Sequence, residues 1–350
     1  MKYIKKILIV LNLLLVVGLV MAYLSSETNP ADNDMYALFG VFYPVLLLAA
    51  LVFMVLWLLI DYKYTLISII GIGLGWQHFT GFVNISAPSE ADDGLVVMSY
   101  NIGQGYHIRD RDAATQAKRV KLFKNYLTSL SSPDVICLQE SNSMVKDLFA
   151  SEYPSYHLSE KGQKGAVIYS RHPIVGSGNI EFGTRTNSCV YADIKVGQRT
   201  IRVYNMHLQS NKISREADAV LEQTELNKPE VWQSIVGILG KYTAASKRRA
   251  LQAEKVKAHT RTSPHPVIMA GDLNDPPTSY TYSELSAGMN DAFLCKGSGI
   301  GTTYGGSIPM LRIDYILSDS ELPVTTYSCK KEQFSDHYPI FAEVELTTEK

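Results

Sequence analysis

The hydrophobic pattern divides the chain in two. Residues 7–24 are apolar and uncharged, residues 35–60 form a second apolar run, and residues 64–83 form a third with Gly71, Gly73, Gly75, Gln77 and His78 inside it. About 20 mostly apolar residues are needed to cross a bilayer, so the pattern predicts three transmembrane helices within residues 1–84. From residue 95 onward, short apolar runs alternate with amphipathic ones. The runs at 95–100, 134–139, 166–170, 189–196, 200–207, 266–271, 313–317 and 340–346 predict strands. Several are almost continuously apolar, as strands buried on both faces are. Helical spacing is found at 113–130 (Val120, Phe123, Tyr126, Leu127 and Leu130), at 229–242, where Pro229 suits a first helical position, and at 244–260. Strands interleaved with helices predict an α/β architecture of two packed sheets flanked by helices. The polar stretch at 85–94 reads as a linker and residues 95–350 as one domain.

Charge orients the apolar part. Lys2, Lys5 and Lys6 place the N-terminus in the cytoplasm. The loop after the first run carries Glu27, Asp32 and Asp34 with no Lys or Arg, and lies outside; Asp61-Tyr62-Lys63 turns back inside. If the third run spans, the following domain is extracytoplasmic, on the periplasmic side. If that run lies in the interface, the domain is cytoplasmic; the extracytoplasmic side is the expectation. A cleaved signal peptide would use the same lysines, but Met21-Ala22-Tyr23-Leu24 lacks a small-x-small cleavage site and another apolar run follows. The predicted protein is therefore multi-pass, with the bilayer as one partner and no obligate protein partner.

The net charge of −1 gives no global basic field of the kind that marks nucleic-acid binding. The four cysteines show no CxxC and no zinc spacing. Cys137 and Cys189, within apolar runs, read as buried thiols, and a Cys295–Cys329 pairing is left open.

Polar residues collect where the predicted strands end. Asn101 follows the first strand, and Gln139-Glu140 ends a buried one. His207 ends another. Gly271-Asp272-Leu273-Asn274 puts Asp272 and Asn274 on one side of an extended segment. Asp314 is embedded between Ile313 and Ile316, where an unpaired carboxylate is costly. Ser335-Asp336-His337 precedes the last strand. Each has an ordinary structural reading when taken singly: a turn residue, a solvated strand end, a core histidine. Their conjunction in one order does not.

That order resembles the endonuclease/exonuclease/phosphatase superfamily of DNase I-like nucleases, abasic-site endonucleases, neutral sphingomyelinases and inositol polyphosphate 5-phosphatases. The resemblance covers about residues 95–346 and includes all of the family's polar blocks. It implies a four-layered α/β sandwich and a Mg²⁺-dependent phosphoesterase, with Mn²⁺ as a substitute. It assigns the metal to Glu140 and Asn101, with Asp336 joining directly or through water. Asp272 becomes the base or orienting group for the attacking water. Asn274 holds the phosphate or nucleophile, and Asn101 belongs to the same substrate-binding group. His337 contacts a non-bridging phosphate oxygen, Asp314 fixes the ring of His337, and His207 is a candidate acid near the leaving oxygen.

Within the superfamily, Asp275-Pro276-Pro277 and Ile313-Asp314-Tyr315 depart from the 5-phosphatase pattern. The membrane spans favour a lipid headgroup or similar small phosphodiester. The alternatives are an extracytoplasmic nuclease acting on DNA or RNA, for which Arg109, Arg111, Lys118, Arg119, Lys121 and Lys124 supply one basic edge, and an inactive, membrane-tethered binding module. The stripe Val231, Trp232, Ile235, Val236, Ile238 and Leu239 reads as ordinary packing before a lid or membrane contact. Lys247-Arg248-Arg249 reads as a solvated helix face.

Overall fold

A computed structural model describes residues 2–87, 94–130, 132–159, 165–184, 186–211, 229–306, 310–332 and 334–346. Most of the linker read at 85–94 lies outside the described residues. The N-terminal part holds α1 (Lys2–Leu24), α2 (Met35–Val41), α3 (Tyr43–Ile60), α4 (Thr65–Leu74), α5 (Trp76–Phe82) and a short strand, β1 (Val83–Ile85). Then follow β2 (Leu95–Asn101), α6 (Ala113–Ser129), β3 (Val135–Gln139), α7 (Ser143–Glu152), β4 (His157–Leu158), β5 (Val167–Ser170), β6 (Ile174–Ile180), β7 (Ser188–Val196) and β8 (Arg199–His207). After the long helix α8 (Pro229–Thr260) come β9 (Val267–Asp272), α9 (Tyr280–Ser286), β10 (Met289–Asp291), α10 (Ala292–Lys296), β11 (Ser298–Ile300), β12 (Asp314–Asp319), β13 (Val324–Cys329) and β14 (Ile340–Val344).

The chain divides into two compact units. One comprises Met1–Val83, Asn211–Leu251 and Asp275–Glu284; the other comprises Asn84–Ser210, Gln252–Asn274 and Leu285–Lys350. The helical unit therefore takes two stretches from within the domain read at 95–350.

In the helical unit, α1 and α3 are long and apolar enough to cross a membrane. The run at 35–60 is split by Phe42 into α2 and α3, with Pro44 in the first turn of α3, where its missing N–H costs nothing. The third run is not one long helix. It breaks at Gly75, whose backbone leaves the helical region against the ring of Tyr23. Its contacts nevertheless step along α1: Lys5 pairs with Asp61, the Ser68 hydroxyl donates to Asn12, Tyr23 donates to the Gly71 carbonyl, and Ser26 meets His78. The two stretches from later in the chain join at the other end from Lys5. Lys247 pairs with Asp34 at 2.9 Å, and the Thr278 hydroxyl donates to the Gly40 carbonyl at 2.7 Å. Arg249 is not a solvated cation as its sequence suggests. It is fully buried and donates to Asp275 at 2.7 Å, because a buried guanidinium needs a partner. Along the same helix Val231 is buried as the stripe predicts, while Trp232 and Val236 face outward.

The second unit is built on two six-stranded sheets, ordered β13-β14-β2-β3-β5-β4 and β10-β12-β9-β8-β7-β6. Leu95, Val97, Val135 and Cys137 of the first meet Val190, Val203, Ile268 and Ile316 of the second in one core. Burying each such side chain contributes roughly 1.5–3 kcal/mol. Phe123 and Leu127 of α6, with Val145 and Phe149 of α7, cover the outer face of the first sheet. The last turns of α8 cover the second, with Ala253 and Val256 buried and His259 Nδ1 2.8 Å from the Tyr204 hydroxyl. The result is the four-layered, DNase I-like α/β sandwich. The four cysteines are free thiols.

Candidate active site

Strand register levels the polar residues. His207 at the end of β8 pairs with Asp272 at the end of β9, and Asp272 pairs with Asp314 at the start of β12. Gly271 permits this closeness. Its φ is 141°, and a side chain there would run into the main chain of Met206 on β8. In the other sheet, Asn101 and Gln139 are register partners, so Glu140 lies one residue beyond the same edge. The Asn101 amide crosses between the sheets and donates to Asp272 Oδ2 at 2.9 Å.

Asp272 is the hub. Besides Asn101 it accepts from the Asn274 main-chain N–H at 2.7 Å and from the Asn274 side-chain amide at 3.0 Å. The Asn274 backbone adopts φ 54°, a left-handed turn that an Asn tolerates and that aims its amide back at Asp272. Nε2 of His337 is 3.8 Å and Nε2 of His207 is 3.9 Å from Asp272 Oδ2, too far for hydrogen bonds. Burial lifts the Asp272 carboxyl to about 6; Asp314 adds to the rise, while the two histidines and the Asn101 amide oppose it.

His337 turns Nδ1 to both oxygens of Asp314, at 3.1 and 3.0 Å. Burial opposes a charged ring here, but Asp314 and Asp272 outweigh it and carry the pKa up to about 10. The ring therefore bears both protons at neutral pH, and Nδ1–H donates to Asp314. Ser335 anchors the loop, donating its hydroxyl to the Asn101 carbonyl at 2.7 Å and accepting the His337 N–H at 3.2 Å. Two neighbours escape a sequence reading. Thr303 Oγ1 accepts the N–H groups of Ile313 and Asp314, at 3.0 and 3.1 Å, and its carbonyl accepts the Tyr338 N–H at 2.7 Å. Tyr304 sets its ring edge-on to that of His337, 5.0 Å between centroids. They precede β12 by eleven and ten residues, in an irregular segment that carries no periodic signal.

Two of the three residues read as metal ligands lie on the open side. Glu140 and Asp336 are half-buried, unlike Asp272 and Asp314. Asp336 Oδ1 lies 3.3 Å from the Ser335 hydroxyl that holds Asn101, and Glu140 Oε1 lies 3.4 Å from His207 Nε2. Glu140 adopts φ 49°, an unfavourable left-handed backbone for a residue with a long side chain, costing about 1–2 kcal/mol. Such strain at a strand end marks a position held for its side chain. Glu140 and Asp336 supply hard oxygen donors with access to solvent, which fits Mg²⁺, while Asn101, also read as a ligand, is 1% exposed and its Oδ1 accepts the Gly103 N–H at 3.0 Å. A second grouping, Asp272, Asp314 and His337, has ligand atoms within 4.8 Å of one another. All three of its members are buried, whereas Glu140 and Asp336 are half-buried. His207 stands apart: both ring nitrogens are buried with no hydrogen-bond partner, so it is ready to meet a group brought into the site.

The sequence profile described as the Endonuclease/Exonuclease/phosphatase family matches residues 98–337. Residues 5–82 match a second profile, a domain of unknown function (DUF8431). No curated protein matches the chain. Among solved structures, D. rerio TDP2 in complex with a single-strand DNA product has a TM-score of 0.53 at 20% identity, covering 73% of this chain and 100% of its own. The mannosyl-6-phosphatase of Bacteroides thetaiotaomicron has a TM-score of 0.51 at 17% identity, covering 72% and 100%. A further family protein from Bacteroides thetaiotaomicron has a TM-score of 0.51 at 17% identity, covering 74% and 96%. At these identities the likeness is one of fold.

Proposed function

Because the chain belongs to the endonuclease/exonuclease/phosphatase family and is thereby a phosphoesterase, we propose that it is a membrane-anchored, Mg²⁺-dependent enzyme hydrolysing a small phosphodiester, with a lipid headgroup as the substrate class. The convergence of Asn101, Asn274 and two histidines on Asp272 supports this chemistry. Asp272 is ionised above about 6. Held by the two amides, it accepts a proton from the attacking water as the new P–O bond forms. His337, charged and aligned by Asp314, donates from Nε2 to a non-bridging phosphate oxygen as negative charge builds there. The Asn274 amide orients the phosphate or the water. His207 supplies the proton taken by the leaving oxygen as its P–O bond breaks. Asn101, Glu140 and Asp336 would hold Mg²⁺, which would supply Lewis acidity to the phosphoryl group.

The lipid reading rests on how the chain is connected. Ser210 ends one stretch of the sandwich three residues after His207, and Asn211 already belongs to the helical unit; Asn274 likewise gives way directly to Asp275. The phosphate site and two helices long and apolar enough to cross a membrane are thus parts of one continuous chain. Sidedness follows the same logic. Lys5 and Asp61 mark one end of the helical unit, while Asp34 and Gly40, toward the other, hold Lys247 and Thr278. With the lysines inside, Lys247 and Thr278 lie outside the cytoplasm, and an extracytoplasmic sandwich is part of the proposal.

The deciding experiment assays the full-length protein in detergent, side by side, on sphingomyelin-type lipid, phosphoinositide, DNA and RNA with Mg²⁺. The expected result is turnover of a lipid phosphodiester that Asp272→Ala abolishes. Turnover of DNA or RNA alone would reject the lipid reading in favour of a nuclease. No turnover of any substrate, nor of bis-p-nitrophenyl phosphate, would leave a binding module.

A further inference from the structure

Between the two sheets, directly beneath the site, lies a buried amide pair that the chemistry above does not use. Gln139 ends β3 in one sheet and Asn205 lies in β8 of the other, and both are 0% exposed. The Gln139 Nε2 group donates to Asn205 Oδ1 at 2.7 Å, to the Cys137 carbonyl at 3.1 Å and to the Ser99 hydroxyl at 3.2 Å. Asn205 Nδ2 donates to the carbonyls of Leu138 and Val167, both at 2.8 Å. One side chain of the second sheet thus grips two neighbouring strands, β3 and β5, of the first.

Apolar residues would hold these sheets together without such bonds. Val135, Cys137, Val203 and Ala270 belong to the apolar core that already does so. Gln139 is also kept at a cost, since its Oε1 is buried without a hydrogen-bond partner, a loss of about 1–3 kcal/mol. Apolar contacts, however, are non-directional and tolerate sliding, whereas amide bonds fix register. What they fix is functional. Glu140 is the residue after Gln139, and His207 lies two after Asn205 on the same side of the strand. The two meet across the sheets with Glu140 Oε1 3.4 Å from His207 Nε2.

We propose that Gln139 and Asn205 are positioning residues that set the separation of Glu140 from His207, and thereby the affinity for Mg²⁺ and the rate of the phosphoester reaction. This rests on the reading of Glu140 as a metal ligand. Gln139→Asn withdraws the amide by one methylene, and Asn205→Gln extends the partner by one, so the double variant restores the reach from the other sheet.

The test uses full-length protein in detergent, with calorimetric Mg²⁺ titration as the readout besides activity. Gln139→Asn is expected to weaken Mg²⁺ binding and lower kcat by roughly 10–100-fold, as loss of groups that orient metal ligands does, with KM changing less than about twofold. Adding Asn205→Gln is expected to recover at least about tenfold of that loss, an amount worth 1.4 kcal/mol. A folded Gln139→Asn with wild-type Mg²⁺ affinity and kcat overturns the inference, and so does a double variant no better than the single. If Gln139→Asn does not fold, Ser99→Ala, which removes one acceptor and leaves the pair, decides. It should raise the Mg²⁺ Kd about threefold, the worth of one hydrogen bond, and an unchanged Kd overturns the inference. A wild type that binds no Mg²⁺ rejects the metal reading itself, and this inference with it.

Discussion

His337 faces Asp314 with one ring nitrogen and Asp272 with the other: Nδ1 is 3.0 Å from Asp314 Oδ2, and Nε2 is 3.8 Å from Asp272 Oδ2. The first contact is a charge-assisted hydrogen bond and the second is a gap. The ring is thus fixed on its inner side and free to act on its outer side. Asp314→Asn should leave the ring in place but remove the charge that holds its second proton. We expect kcat to fall about 10²-fold, with Mg²⁺ affinity within about twofold of wild type. Steady-state kinetics with calorimetric Mg²⁺ titration checks this, and an undiminished kcat would show that Asp314 only fills space.

The same pair sets the pH window. Asp272 must be ionised, which occurs above about 6, and His337 must keep its proton, which it does below about 10. The kcat/KM profile should be bell-shaped between those limits, with the alkaline limb moved downward in Asp314→Asn. Stability should follow the signs. His337 rises from 6.5 unfolded to about 10 folded, so its contribution is complete below 6.5 and is lost as pH climbs toward 10. Asp272, raised from 3.8 to about 6, favours the fold only while protonated, and that contribution fades between those values as pH rises. Thermal unfolding from pH 6.5 to 10 should show a falling Tm; a Tm that rises would contradict this pairing.

Glu140→Ala and His337→Ala should separate binding from turnover. The first removes the open carboxylate and should weaken Mg²⁺ by roughly 10–100-fold. The second should lower turnover with Mg²⁺ affinity largely unchanged. Isothermal titration with unaltered Mg²⁺ affinity in Glu140→Ala would sink that assignment, as would full activity after exhaustive chelation with EDTA.

Topology is tested from the C-terminus. An alkaline phosphatase fusion after Lys350 folds to an active enzyme only outside the cytoplasm, and we expect it to be active. An inactive fusion alongside an active cytoplasmic reporter would place the sandwich inside and reject the extracytoplasmic reading.

Much of the site is legible from the chain because burial makes polar residues conspicuous. Asp314 beside Ile313, and Glu140 at the end of an apolar run, stand out since each must find a partner or a ligand. The strands carrying them read well for the same reason: they are buried on both faces. β6 and β13 do not, because Ile174-Val175-Gly176-Ser177-Gly178-Asn179-Ile180 and Val324-Thr325-Thr326-Tyr327-Ser328-Cys329 are largely half-buried, with polar or small residues interrupting any period.

The sequence by itself determined the two-part character, the fold class and which residue types stand at the strand ends, since these follow from local periodicity and the cost of burying charge. Only the tertiary structure decided who partners whom. Asp314 meets His337 across 23 residues, Asn101 meets Asp272 across 171 and Gln139 meets Asn205 across 66. It also broke the third apolar run at Gly75 against Tyr23, and drew Asn211–Leu251 and Asp275–Glu284 into the unit of apolar helices. Those are non-local pairings, settled by sheet register and by the packing of one segment on another, and no pattern within a single stretch of chain encodes them.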